Sequence, residues 1–124
     1  MSGLPGDILT ISHEDLPAAV LVRLSGEVDL DTTGALRDAL DPIVNQHRNI
    51  ILDCSALRYI DSAGFHVLFR AHQELKRHGR QMLIAAPSLT LEHAFKIINI
   101  EKHIHCVRSV KEALGILTDP NDRQ

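Results

Sequence analysis

The 124-residue chain contains no tryptophan, and aromatic residues make up only 3% of it. Its core must therefore be aliphatic, built from Leu, Ile, Val and Ala. There are two cysteines, Cys54 and Cys106, each in an apolar, strand-like run. Two are too few for a disulfide scaffold, so the plain reading is a pair of thiols packed as small hydrophobes. A redox switch between them is the alternative. No segment approaches the roughly 18 apolar residues of a membrane span. The opening Met1 to Asp7 lacks the basic flank and apolar stretch of a signal peptide. The expectation is a cytoplasmic protein with no membrane attachment. Positive charge is not in excess either: 13 Lys and Arg stand against 16 Asp and Glu, a net charge of −3. Binding a phosphate backbone needs the opposite balance, so direct contact with nucleic acid is not expected.

Motifs of catalysis are also missing. No glycine-rich run of the nucleotide-cradling kind occurs, and no Gly-x-Ser-x-Gly elbow. No serine or cysteine has a neighbour that reads as its general base. Asp53 and Asp61 flank one segment, but caps and strand ends account for them without acid–base chemistry. A small hydrolase on an α/β sheet is thus the weaker class, and neither catalytic residues nor a cofactor is expected. Eight histidines are present. His66, His72 and His78 recur every six residues and so rotate around a helix. His103 and His105 would share one strand face with Cys106 on the other, a poor geometry for a tetrahedral metal. No metal site is expected.

What is present is alternation. Ile8–Ser12 reads as a short strand, followed by a polar turn over His13–Leu16 that Pro17 interrupts. Ala19–Leu24 reads as a second strand ended by Ser25-Gly26. The acids and hydroxyls from Glu27 to Thr33 suit a loop that caps a helix, with Asp31 or Thr32 as N-cap. Leu36, Leu40, Ile43 and Val44 then form one apolar helical stripe. Asn49–Asp53 is a continuous apolar run, the mark of a strand covered on both faces. Ser55–Asp61 reads as a loop. A second helix runs from about Asp61-Ser62 to Gly79, its stripe Val67, Leu68, Ala71 and Leu75. Gln81–Ala86 is a further buried strand, and Leu91, Ala94, Phe95 and Ile98 a third helix. A last strand at His103–Val107 and a helix on Val110, Ala113, Leu114 and Leu117 complete the order, before a frayed tail from Thr118. Strands alternating with helices predict an α/β domain. Its sheet is mostly parallel, four- or five-stranded, with about four helices and an antiparallel first strand. One domain fills residues 1–124, with its core at 8–117.

In parallel α/β sheets, sites gather at the carboxyl ends of strands. Ser62 stands at such a place, at a helix start, after Asp61 and before two small residues, Ala63 and Gly64. Helix N-terminal amides and the helix dipole favour an anion there. A phosphate on Ser62 would add a charge of about −1.5 to −2 without melting the helix. The plainer reading is that Asp61 or Ser62 is simply an N-cap.

The run Asp53-x-Ser55-x-Leu57-x-Tyr59-Ile60-Asp61-Ser62-Ala63-Gly64 resembles the signature of the STAS domain, the fold of bacterial anti-sigma factor antagonists. The stretch Leu24-Ser25-Gly26-Glu27-Val28-Asp29 resembles that family's earlier turn. The likeness extends over roughly Ile8 to Leu117. It implies that Ser62 is a phosphoacceptor, with Asp29 near it and Asp61 beside it. It also implies a partner surface of Asp29, Asp61, Ser62, Ala63, Gly64, Phe65 and His66. The implied partners are an anti-sigma factor with serine kinase activity and a PP2C-type phosphatase. The unphosphorylated form would bind the anti-sigma factor and free the sigma factor; phosphorylation would end binding. Three positions depart from the family pattern: Ala63 stands where Ser or Thr is frequent, and Phe65 and His66 where Leu and Gly are usual. Phe65 is either core or partner-facing, and Phe69 is expected in the core. An unswitched scaffold or sensor of the same fold is the alternative function.

Overall fold

The computed structural model describes residues 8–118. Five strands form one sheet whose spatial order follows the chain: β1 (Thr10–Asp15), β2 (Val20–Val28), β3 (Ile50–Ile60), β4 (Met82–Ala85) and β5 (His105–Val107). β1 pairs antiparallel with β2, and every later pair is parallel. The crossovers are helices α1 (Thr33–Val44), α2 (Ser62–Arg77) and α3 (Leu89–Ile97), and α4 (Val110–Leu117) follows β5.

Side chains alternate across the sheet, and this alternation divides the interior in two. Val20, Val22, Ile50, Leu52, Cys54, Met82 and Ile84 face α1, α2 and α3 in the larger core. Leu21, Ile51, Leu83, Ala85 and Val107 face the other way, against α4. The central strands are thus buried on both sides, which is why their sequences are continuous apolar runs. The stripes of α1 and α2 are buried as their spacing predicts. Gly79, at φ +73°, follows the last turn of α2 in the left-handed conformation that closes a helix. Among the described residues no helix is long and apolar enough to cross a membrane.

Several boundaries differ from the expectation. His13–Asp15 continue β1 instead of turning, because each pairs with β2, down to Asp15 against Val20. Ser25–Val28 continue β2, and Ala56–Ile60 pair with them. The expected loop at Ser55–Asp61 is therefore mostly strand. Two register shifts, between Arg23 and Ser25 and between Gly26 and Glu27, interrupt this pairing. They change the rhythm of burial in β3: Cys54, Leu57 and Ile60 are inward, a spacing of three instead of two. Gly26 makes the irregularity possible. Its φ is +106°, and a Cβ there would sit 2.3 Å from the carbonyl oxygen of Ile8. Ile98 lies outside α3 as its C-cap and is 43% exposed, so the α3 stripe reduces to Leu91 and Phe95. His103 precedes β5, after a 3₁₀ turn at Ile100–Lys102. Thr118 closes α4, its hydroxyl donating to the Leu114 carbonyl at 2.7 Å. The rest of the expected tail, 119–124, lies outside the described residues, as do residues 1–7.

Candidate functional site: the start of α2 at the carboxyl edge of the sheet

Parallel pairing decides which residues meet. Val28 of β2 is level with Ile60 of β3, so Asp29 and Asp61 leave adjacent strand ends side by side. The Asp61 amide donates to the Val28 carbonyl at 3.0 Å and joins the two exits. Asp29 then organises the turn into α1. Its carboxylate accepts from the Asp31 amide at 2.9 Å, and its carbonyl accepts from the amides of Thr32 and Thr33. The buried Thr33 hydroxyl also donates to that carbonyl. Thr32 is the N-cap of α1, but its hydroxyl does not cap the helix; it accepts from the Asp29 amide and donates to the Glu27 carbonyl, both at 2.9 Å.

Asp61, not Ser62, is the N-cap of α2. It has extended backbone dihedrals, and its carboxylate accepts from the Gly64 amide at 2.9 Å. This leaves Ser62 as the first helical residue, exposed, and among the described residues no hydrogen bond engages its hydroxyl. Ser62, Ala63 and His66 line one end of an open groove of about 1170 Å³ between α1 and α2. The groove continues past Arg37 and Arg70 to Glu74 and Arg77.

The residues following Ser62 divide into two sets. Ala63 and His66 remain accessible. Gly64 and Phe65, expected on the same partner surface, are buried. A Cβ at Gly64 would lie 2.6 Å from Cγ1 of both Val28 and Ile60, so glycine is needed for α2 to reach the sheet, not to admit a partner. Phe65 is 7% exposed and meets Phe95 edge to face at 5.3 Å. Phe69 is only partly buried and packs against His103 at 5.0 Å. Both phenylalanines therefore secure α2 to the elements after β4.

The cysteines are unbridged. Burial, followed by the nearby Asp53, holds the Cys54 thiol well above its ordinary range. Burial, then Glu101 and Glu92, push Cys106 up to about 12. Thiolates are the reactive form, so neither position favours redox chemistry. One cluster went unforeseen in the sequence: His47, Glu74 and His78 come together where α1 runs into β3. The i, i+4 spacing of Glu74 and His78 was a readable signal. His47 joins them only through the tertiary fold.

A mixed five-stranded sheet in chain order, with three helices on one face, a single helix on the other and an exposed serine opening the second helix, defines a class of small α/β domain. The family model for the STAS domain matches residues 10–113, and the chain belongs to that family. It is 22% identical over 109 residues to the anti-sigma-F factor antagonist RsfB of Mycobacterium tuberculosis, covering 87% of this chain and 88% of that protein. Its structure is similar to that of an anti-sigma factor antagonist from Mycobacterium paratuberculosis, with a TM-score of 0.85 at 23% identity over 95% of this chain and all of that one. It is also similar to the anti-sigma factor antagonist SpoIIAA in its unphosphorylated form, with a TM-score of 0.74 at 20% identity over 88% and 96% of the two chains. At these identities the structural likeness speaks for the fold.

Proposed function

We propose that this chain is a cytoplasmic anti-sigma factor antagonist: unphosphorylated, it binds an anti-sigma factor that is also a serine kinase, and phosphate on Ser62 ends the binding. The observation that carries this reading is the division of labour at the start of α2. Asp61 caps the helix, so the Ser62 hydroxyl is exposed at the rim of the α1–α2 groove and engaged by none of the described residues. A serine committed to capping would have to break a helix bond to react; this one does not. The names of the relatives support the reading, as does the existence of SpoIIAA structures in unphosphorylated and phosphorylated forms.

The accessible surface of Asp29, Asp61, Ser62, Ala63 and His66 forms the contact, and Gly64 and Phe65 support it from beneath. A phosphoryl group on Ser62 meets free amides of the first turn, so α2 persists. It also sits beside Asp61, with Asp29 on the adjacent strand end. Inside an interface that charge is desolvated without a cation made for it. A hundredfold loss of affinity needs about 2.7 kcal/mol, within reach of one such charge. A PP2C-type phosphatase, with its own divalent metal, restores the binding form. The chain itself catalyses nothing in this scheme.

The test mixes the purified chain with the anti-sigma kinases of its host and Mg-ATP, reading affinity by calorimetry and phosphate by intact mass. Wild type is expected to bind, gain one phosphate and weaken about a hundredfold. Ser62→Ala should bind without gaining mass, and Ser62→Asp should bind weakly from the start. Phosphate at another residue, or a Ser62→Ala protein that still gains it, sinks the switch. Failure to bind any such kinase would leave a STAS-type scaffold without this partner.

A further inference from the structure

Glu74 lines the far end of the groove, and there His47, Glu74 and His78 bring one ligand atom each within 4.8 Å of one another. We infer that these three side chains form a binding site for a divalent transition metal of the zinc class, joining the α1–β3 connection to the last turn of α2. Glu74 and His78 are one helical turn apart and share a face of α2. His47 reaches them from the connection, and its carbonyl is held by a hydrogen bond from Arg80 Nε at 3.0 Å. The two imidazoles stack with centroids 3.7 Å apart and planes within 13°.

His78 Nδ1 is 3.1 Å from the Glu74 carbonyl oxygen and 3.7 Å from Glu74 Oε2. A hydrogen bond from Nδ1 to that carbonyl selects the tautomer that leaves Nε2 to a metal, the arrangement common in metal-binding histidines. Two imidazoles and one carboxylate are the donor set of an open zinc site, with a fourth position left for water or a partner's side chain. Bonds of about 2.0 Å in a tetrahedron need ligand atoms about 3.3 Å apart. The ligand atoms lie within 4.8 Å of one another, so the side chains must close by at most about 1.5 Å. The side chains of Glu74 and His78 are 39% and 36% exposed, so rotation at the surface suffices. One ring leaves the stack to do it.

Positive charge opposes the ion and narrows its identity. Arg77 pairs with Glu74 at 3.2 Å, but its side chain is 77% exposed, and an ion pair in water is weakly held. Lys76 and Arg80 add to the repulsion. Magnesium and calcium need several oxygen ligands, which this set does not supply. A borderline ion that prefers imidazole is the class that fits. Bound there, it would link the α1–β3 connection to α2 at the end of the helix opposite Ser62.

The experiment titrates the chelator-treated chain with zinc chloride by calorimetry, alongside magnesium and calcium chlorides, and records melting with and without zinc. One zinc per chain is expected, with no heat from the other two ions and a higher melting temperature when zinc is present. His47→Ala and His78→Ala should each weaken zinc at least about tenfold and abolish the thermal shift. His93→Ala and Cys106→Ser should leave both unchanged. Far-UV circular dichroism verifies that each variant is folded, and Glu74→Gln gives a third arm if one is not. The inference is overturned if zinc does not bind, if it binds equally to His47→Ala and His78→Ala, or if Cys106→Ser removes it.

Discussion

Replacing Gly64 by alanine sets two opposed effects against each other. Gly64 is the third residue of α2, and alanine is the better helix former by about 1 kcal/mol. Against this, the new methyl would meet Val28 Cγ1 and Ile60 Cγ1 at 2.6 Å and Ile60 Cδ1 at 3.0 Å. Comfortable carbon contacts begin near about 3.5 Å. Neither neighbour can retreat: both are β-branched, stiff at χ1, buried, and fixed on paired strands. Overpacking costs about 1–3 kcal/mol, and two contacts at 2.6 Å place this case in the upper part of that range, so after the helix gain the net loss is about 1–2 kcal/mol. For a domain of this size that is a drop in Tm of several degrees, near about 4 °C per kcal/mol. Gly34 and Gly115 are the controls. They too lie in helices, but a Cβ on either meets nothing within 4 Å. Alanine there should raise stability by about 0.5–1 kcal/mol. Urea unfolding of the three variants, with unchanged m values, measures all three signs. A Gly64→Ala protein as stable as wild type would refute the claim that close packing dictates glycine there.

The cap and the buried histidine give two more tests. Asp61→Ala removes the acceptor for the Gly64 amide and should cost about 1 kcal/mol in urea unfolding, while Asp61→Asn should cost only a few tenths. Equal losses in both would mean that the carboxylate's charge matters more than its hydrogen bond. His72 is buried, and its Nδ1 accepts from the Met82 amide at 3.2 Å, so the ring is neutral in the fold. Burial first, then Lys76, hold its pKa below the ordinary 6.5, with a hydrogen bond to the His103 backbone pulling the other way. The unfolded chain therefore takes up this proton at a higher pH than the folded chain. Stability is full above about 6.5 and declines as pH falls from there towards the lowered folded value. Urea midpoints at pH 7.5 and 5.5 should show the decline, and His72→Gln should flatten it. An unchanged slope in that variant would assign the effect to other groups.

The sequence itself carried the element order, the direction of the sheet and the position of Ser62, because each is written in local pattern. Apolar stripes at steps of three and four marked α1 and α2. Continuous apolar runs marked β3 and β4, since strands covered on both sides have no polar face to alternate. The motif through Asp61-Ser62-Ala63-Gly64 marked the candidate site by the same local means. Four particulars were settled by tertiary structure alone. The second half of β3 was hidden because register shifts against β2 turn its burial period from two to three, which no strand template recognises. Asp61 rather than Ser62 became the cap through a choice between two adjacent side chains that local sequence leaves open, and that choice frees the serine. Phe65 faced inward because Phe95, thirty residues on, lies where it can meet it. His47 joined Glu74 and His78 because the α1–β3 connection ends beside the last turn of α2. Periodicity reports which face of an element is buried; it is silent on what stands opposite, since that depends on residues far along the chain brought together by the sheet.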